Sequence, residues 1–145
     1  MNESYKDIDI NNMKQTINNL KQALNNSSSD DVINNLTDHS VLQSDNNSYF
    51  VKSVEEIEEK KRKLKQALSI YEEMVRLIEH HNNYEDKVLK LNEEKNILIN
   101  NSNTLDEIEK VKIQNEINKI NDEIELYNKK MLEIRFRVDE LSNEM

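Results

Sequence analysis

Apolar residues in the last third of the chain recur at alternating steps of four and three: Ile113, Ile117, Ile120, Ile124, Tyr127, Met131, Ile134, Val138, Leu141 and Met145. That spacing fills ten successive core positions of a seven-residue repeat and predicts an α-helix with one narrow apolar seam. A seam two positions wide in seven cannot be buried by its own helix, so another helix must lie against it. The middle of the chain carries the same frame in Ala67, Ile70, Met74, Leu77, Tyr84, Val88, Leu91 and Leu98, with His81 and Lys95 at its polar core positions. A second stripe runs beside it: Val54, Ile57, Leu64, Leu68, Tyr71, Val75 and Ile78. Between residues 67 and 78 the apolar face is therefore wide enough for two neighbours. Near the N-terminus, Ile10, Met13, Ile17, Leu20 and Leu24 predict a short amphipathic helix.

Polar clusters divide these segments. Residues 25–31 (NNSSSDD) read as the start of a linker, and the stretch to Ser48 has only scattered apolar residues: Val32, Ile33, Leu36, Val41 and Leu42. The expected organisation is an N-terminal helix over 1–25, a weakly structured polar linker over 26–52, and a coiled-coil region over 53–145. Ser53 with Glu56, and Thr104 with Glu107, match the capping-box pattern that opens helices. The second box follows residues 100–104 (NNSNT), so the coil is expected to break there into two arms, roughly 65 and 60 Å long at about 1.5 Å per residue.

Arms of matching length favour an antiparallel hairpin over a continuous rod. Folding about residue 102 sets Leu91 opposite Ile113, Val88 opposite Ile117, Leu77 opposite Tyr127, Met74 opposite Met131 and Ile70 opposite Ile134. The same register brings Glu116 to Lys87 and Lys130 to Glu73, both attractive. A parallel homodimer would instead set Lys130 against Arg135 of its partner. An antiparallel homodimer of the last arm stays open, because Glu123–Lys130 and Glu116–Arg137 could pair across it. The fold class expected is thus all-α: a coiled coil of two long helices plus a short N-terminal amphipathic helix.

Composition narrows the chemistry. The 145 residues include no Gly, Pro, Cys or Trp, and carry 20 Lys+Arg against 29 Asp+Glu for a net charge of −9. Without glycine there is no phosphate-cradling loop, and without cysteine no disulfide, thiolate site or cysteine nucleophile. Asn, at 23 residues, is the commonest type, but no run exceeds two, so composition bias explains it better than a prion-like tract. No leader segment or membrane span is legible, and an intracellular, cytoplasmic protein is expected.

Candidate sites are few. Five of the six residues 60–65 are basic, a pattern that could contact nucleic acid. Glu56–Lys60, Glu58–Arg62 and Glu59–Lys63 stand four apart in the favourable order, however, and are expected to neutralise the block on its own helix. His80, His81 and Glu85, with His39, form the one conceivable metal group. Adjacent helical residues point about 100° apart, and His81 with Glu85 gives only two ligands. No metal, no cofactor and no catalytic residue is expected.

What remains is apolar surface. In a two-arm hairpin the stripe Leu68, Tyr71, Val75 and Ile78 stays partly uncovered, as do Leu132 and Phe136 on the other arm. Either a partner covers these residues or the N-terminal helix folds back over the stripe. The partner-binding candidates are Leu68, Tyr71, Val75, Ile78, Tyr127, Met131, Ile134, Phe136, Val138 and Leu141.

The C-terminal run Lys129-Lys130-Met131, followed by Arg135-Phe136-Arg137-Val138-Asp139, resembles the last coil segment of the intraflagellar transport protein 20 family. Leu77-Ile78-Glu79 and Lys95-Asn96-Ile97-Leu98 fit the middle of that pattern in the same order, and the resemblance spans residues 54–145. It implies a small non-enzymatic subunit coiled with a larger partner and serving ciliary cargo traffic, located at the cilium or basal body. That pairing favours a rod. The function expected is a coiled-coil scaffold or adaptor subunit working by helix pairing in a hetero-oligomer, without nucleic acid or membrane insertion. A kinetochore or spindle subunit, or a vesicle-tethering or lysosome-organelle complex subunit, is the alternative.

Overall fold

The computed structural model describes residues 4–26 and 44–145, the second stretch with side chains from residue 53. Helix α1 runs Ile10–Asn26, α2 runs Ser44–Asn101, a single 3-10 turn occupies Ser102–Thr104, and α3 runs Glu107–Asn143. No strand occurs among the described residues. The all-α expectation of two long helices and a short N-terminal one holds. Residues 27–43, most of the expected linker, lie outside the described residues, and with them His39 and the scattered apolar positions.

Helix α2 begins at Ser44, upstream of the expected start. No Gly or Pro stands between residues 44 and 53 to stop it, so Ser53 lies inside the helix and its capping box is not an opening. The second box is also corrected. Thr104 sits in the 3-10 turn, where its hydroxyl donates to the Asn101 carbonyl at 3.4 Å. Asp106 takes the cap, its carboxylate accepting from the Glu109 N–H at 2.9 Å. Glu107 and Glu109 in that first turn favour the helix N-terminus electrostatically. The reversal uses no left-handed residue, since no described residue has positive φ. Ser102 Oγ closes the end of α2 by donating to the Ile99 carbonyl at 2.7 Å.

The chain forms two compact units: residues 4–8 with Arg76–Glu144, and α1 with the earlier part of α2 up to Val75. In the first unit the two long helices run antiparallel, as the stacking of Tyr84 on Tyr127 and the contact of His81 with Arg135 require. This is the hairpin. Its register differs from expectation: Tyr127 meets Tyr84, seven residues beyond Leu77, which is one full repeat. A slip of seven leaves every seam residue on the seam, so apolar spacing alone is blind to it. The shift follows from the turn. With α2 reaching Asn101 and α3 starting at Glu107, the reversal centres near residue 104 instead of 102, and the later seam-preserving alignment lies closer. The expected pairs Glu116–Lys87 and Lys130–Glu73 belong to the other alignment.

The hairpin unit buries Ile78, Ile117, Met131, Ile134, Val138 and Leu141, each 9% exposed or less, so the α3 seam is covered along most of its length. In the second unit Ile17, Ile70 and Val75 are buried. Asp9 opens α1 by accepting from the Asn12 N–H at 3.1 Å, and Lys21 reaches Glu72 at 3.9 Å, bringing α1 alongside α2. Within the basic block, Arg62 pairs in bidentate fashion with Glu59, one turn back, at 2.6 and 3.0 Å; Glu58 is not its partner. That hydrogen bond holds the Glu59 carboxyl below the ordinary carboxylate range.

Candidate interaction surfaces

Residues 4–6 lie against the hairpin, and three consecutive side chains make three different contacts. Ser4 Oγ donates to Glu85 Oε2 at 2.9 Å and accepts from the Lys6 N–H at 3.2 Å. Lys6 forms an ion pair with Asp86. The Tyr5 ring meets His81 edge-on, centroids 4.6 Å apart and planes at 60°. A turn closed by the Ile8 N–H on the Tyr5 carbonyl, 3.1 Å, shapes the segment just before α1 begins.

His81 anchors this seat. It occupies a core position of the repeat, is 1% exposed, and has Nε2 3.1 Å from Arg135 Nη1. A guanidinium only donates, so in this contact Nε2 accepts. Burial and the Asp139 carboxylate hold the Tyr5 phenol above its ordinary value, while Arg135 pulls the other way. The hydrogen bond to Asp86 lifts the Lys6 ammonium. A groove of about 810 Å³ continues from Ser4 past Val88, Met131 and Leu132, with Glu85, Lys129 and Arg135 at its rim.

One turn further along, the two arms repeat a motif. Tyr84-x-x-Lys87 on α2 and Tyr127-x-x-Lys130 on α3 are related by the pseudo-two-fold of the hairpin. The rings stack with centroids 5.5 Å apart. Lys87 Nζ stands 5.4 Å from the Tyr127 centroid and Lys130 Nζ 5.5 Å from that of Tyr84. Each arm thus places a cation over the other arm's ring, an attraction of about 0.5–1 kcal/mol per exposed pair.

Toward the turn, a separate groove of about 470 Å³ lies between Ile97 and Leu98 on α2 and Ile120 on α3, flanked by Glu94, Glu116 and Lys119. Ile97 is 60% exposed, and Ile108, in the first turn of α3, is 71% exposed. Eleven residues are close to three helical turns, so Ile108 shares the α3 face of Lys119, which lines this groove.

The sequence-derived candidates fall into three groups. Val75, Ile78, Met131, Ile134, Val138 and Leu141 are buried, Leu68, Tyr71 and Tyr127 are half-buried, and Phe136 is 61% exposed. The stripe expected to stay open is therefore largely closed, and of the ten candidates Phe136 alone presents most of its surface. The metal pair is not assembled: His81 Nε2 engages Arg135, Glu85 accepts from Ser4, and no group of three ligating residues occurs among the described residues. Residues 4–6, Arg135 and the Asp86 partner of Lys6 had escaped the sequence reading. Their only signal was Tyr5 itself, an aromatic residue standing outside every helical stripe.

No described helix is long and apolar enough to cross a membrane. No family model matches the chain, and no curated protein or solved structure matches it either.

Proposed function

We propose that this chain is a non-enzymatic helical-hairpin adaptor that receives a partner helix in the groove near its turn. One observation carries the reading. The seam of the hairpin is satisfied within the chain at Ile117 to Leu141, yet toward the turn Ile97 stands exposed in a groove with Leu98 and Ile120, and Ile108 is exposed in the first turn of α3. An amphipathic helix in such a groove is a standard mode of recognition, read as anchors one and two turns apart. Glu94, Glu116 and Lys119 on the banks supply polar contacts that would fix its direction.

The resemblance to the intraflagellar transport protein 20 family makes a transport-particle subunit the first specific form of this proposal. Kinetochore or spindle and vesicle-tethering or lysosome-organelle subunits are its alternatives. The folded-back hairpin supports the first form less than a rod would. The test is quantitative capture from cells with the wild-type chain and with Ile97→Lys/Ile108→Lys, read by mass spectrometry. A helical partner recovered by the wild type and lost with the double variant supports the proposal, and its identity chooses among the complexes. Equal recovery by both chains refutes it.

A further inference from the structure

We infer that the His81 seat is a peptide-reading site: it accepts a partner segment bearing an aromatic residue followed by a base, and residues 4–6 occupy it in cis until displaced. The inference does not rest on the turn-proximal groove, with which the seat shares no residue. The seated segment itself shows the chemistry required. An aromatic ring packs edge-on against an imidazole, a base pairs with Asp86, and a small hydroxyl donor reaches Glu85.

Two features separate a displaceable ligand from a structural strut. First, the side chains that form the seat belong to the hairpin: His81 sits at a core position of α2 and contacts Arg135 of α3. Second, the ionic part of the segment's grip is exposed. The Lys6–Asp86 pair is half in solvent, with side chains 45% and 60% exposed, and such pairs contribute little. The groove beyond Ser4 adds an apolar floor at Val88, Met131 and Leu132 for a segment longer than the anchor. Because the cis segment is tethered, a partner competes against a high local concentration and must offer additional contacts to prevail.

The test uses the full-length Tyr5→Ala chain and a fluorescent nonapeptide copying residues 1–9, followed by anisotropy at low salt. Saturable binding at least tenfold tighter to Tyr5→Ala than to the wild type is expected, since the wild-type seat is occupied. Replacing the peptide's tyrosine by alanine, or its lysine by glutamate, should weaken binding tenfold or more, and phenylalanine should retain it. A full-length Ser4→Ala/Lys6→Glu chain, which loses the donor to Glu85 and sets a like charge beside Asp86, provides the same comparison should Tyr5→Ala fold poorly. Absence of saturable binding to both variants, or binding indifferent to the peptide's aromatic residue, would overturn the inference. So would a wild-type chain that dimerises with concentration and loses this on Tyr5→Ala, because the seat would then serve exchange between copies.

Discussion

The contact between His81 and Arg135 should show strong thermodynamic coupling. Arg135→Met keeps an aliphatic stem but removes the donor to His81 Nε2, leaving an acceptor on a ring that is 1% exposed. An orphaned buried polar group costs about 1–3 kcal/mol. His81→Leu removes that acceptor and the ring against which Tyr5 packs, losing an aromatic contact of about 0.5–1.5 kcal/mol. Half-buried Arg135 still reaches solvent in that variant, so its own penalty is small. In the double variant no acceptor is stranded. Its destabilisation should fall short of the sum of the single ones by about 1–3 kcal/mol, the range for residues in direct contact. Urea unfolding of the four proteins, followed by circular dichroism with a common slope, measures this. Additivity within about 0.3–0.5 kcal/mol would refute the coupling, and with it the role of His81 as anchor of the seat.

Further predictions follow from other parts of the molecule. Leu141→Ala, at a position 1% exposed, should cost about 2–5 kcal/mol, whereas Phe136→Ala, at 61% exposed, should stay within about 0.5 kcal/mol; urea midpoints distinguish them. Asp106→Ala should cost about 1 kcal/mol through loss of the cap, and Thr104→Ala only a fraction of that, the reverse of what a capping box at Thr104 demands. Tyr5 and Lys6 both have folded-state values raised above their ordinary 10.0 and 10.5. Their contribution is therefore complete below the ordinary values and lost as pH rises through the raised ones. Alkaline titration of phenolate absorbance, compared with Tyr5→Phe, should show one tyrosine ionising late as the segment leaves. Finally, spin labels at Leu89→Cys and Leu126→Cys, both exposed in a cysteine-free chain, report the register. A slip of one repeat would displace them by about 10 Å along the axis, far outside the width of a well-ordered distance distribution.

Much of the fold was legible because seam burial is a periodic requirement. Ile113 to Met145 state it without interruption, and the break near residue 102 was visible in a cluster of poor helix formers. The details that failed share a physical cause. Register is degenerate at steps of seven, so Tyr127 could as well have met Leu77 as Tyr84. Helix starts were misread because the capping pattern of Ser53 and Thr104 is local, whereas the observed starts depend on what competes: an unbroken upstream helix in one case, and the neighbouring Asp106 in the other. The Tyr5 seat was invisible because Ser4 and Tyr5 meet residues more than seventy positions away, and no spacing rule links Ser4 to Glu85 or Tyr5 to His81.

The buried histidine has a consequence for how the hairpin keeps its alignment. An unbroken ladder of aliphatic residues is a ruler without numerals: every seventh mark fits equally well. His81 supplies a numeral. Sliding α3 by one repeat would carry the Arg135 guanidinium about 10 Å away and set the shorter, neutral Asn128 or Ser142 in its place beside a buried ring, a difference that isoleucine and leucine cannot signal. Exchange of one aliphatic residue for another along the ladder should therefore leave the alignment unmarked, while a change at His81 or Arg135 alone should cost more than when the two change together.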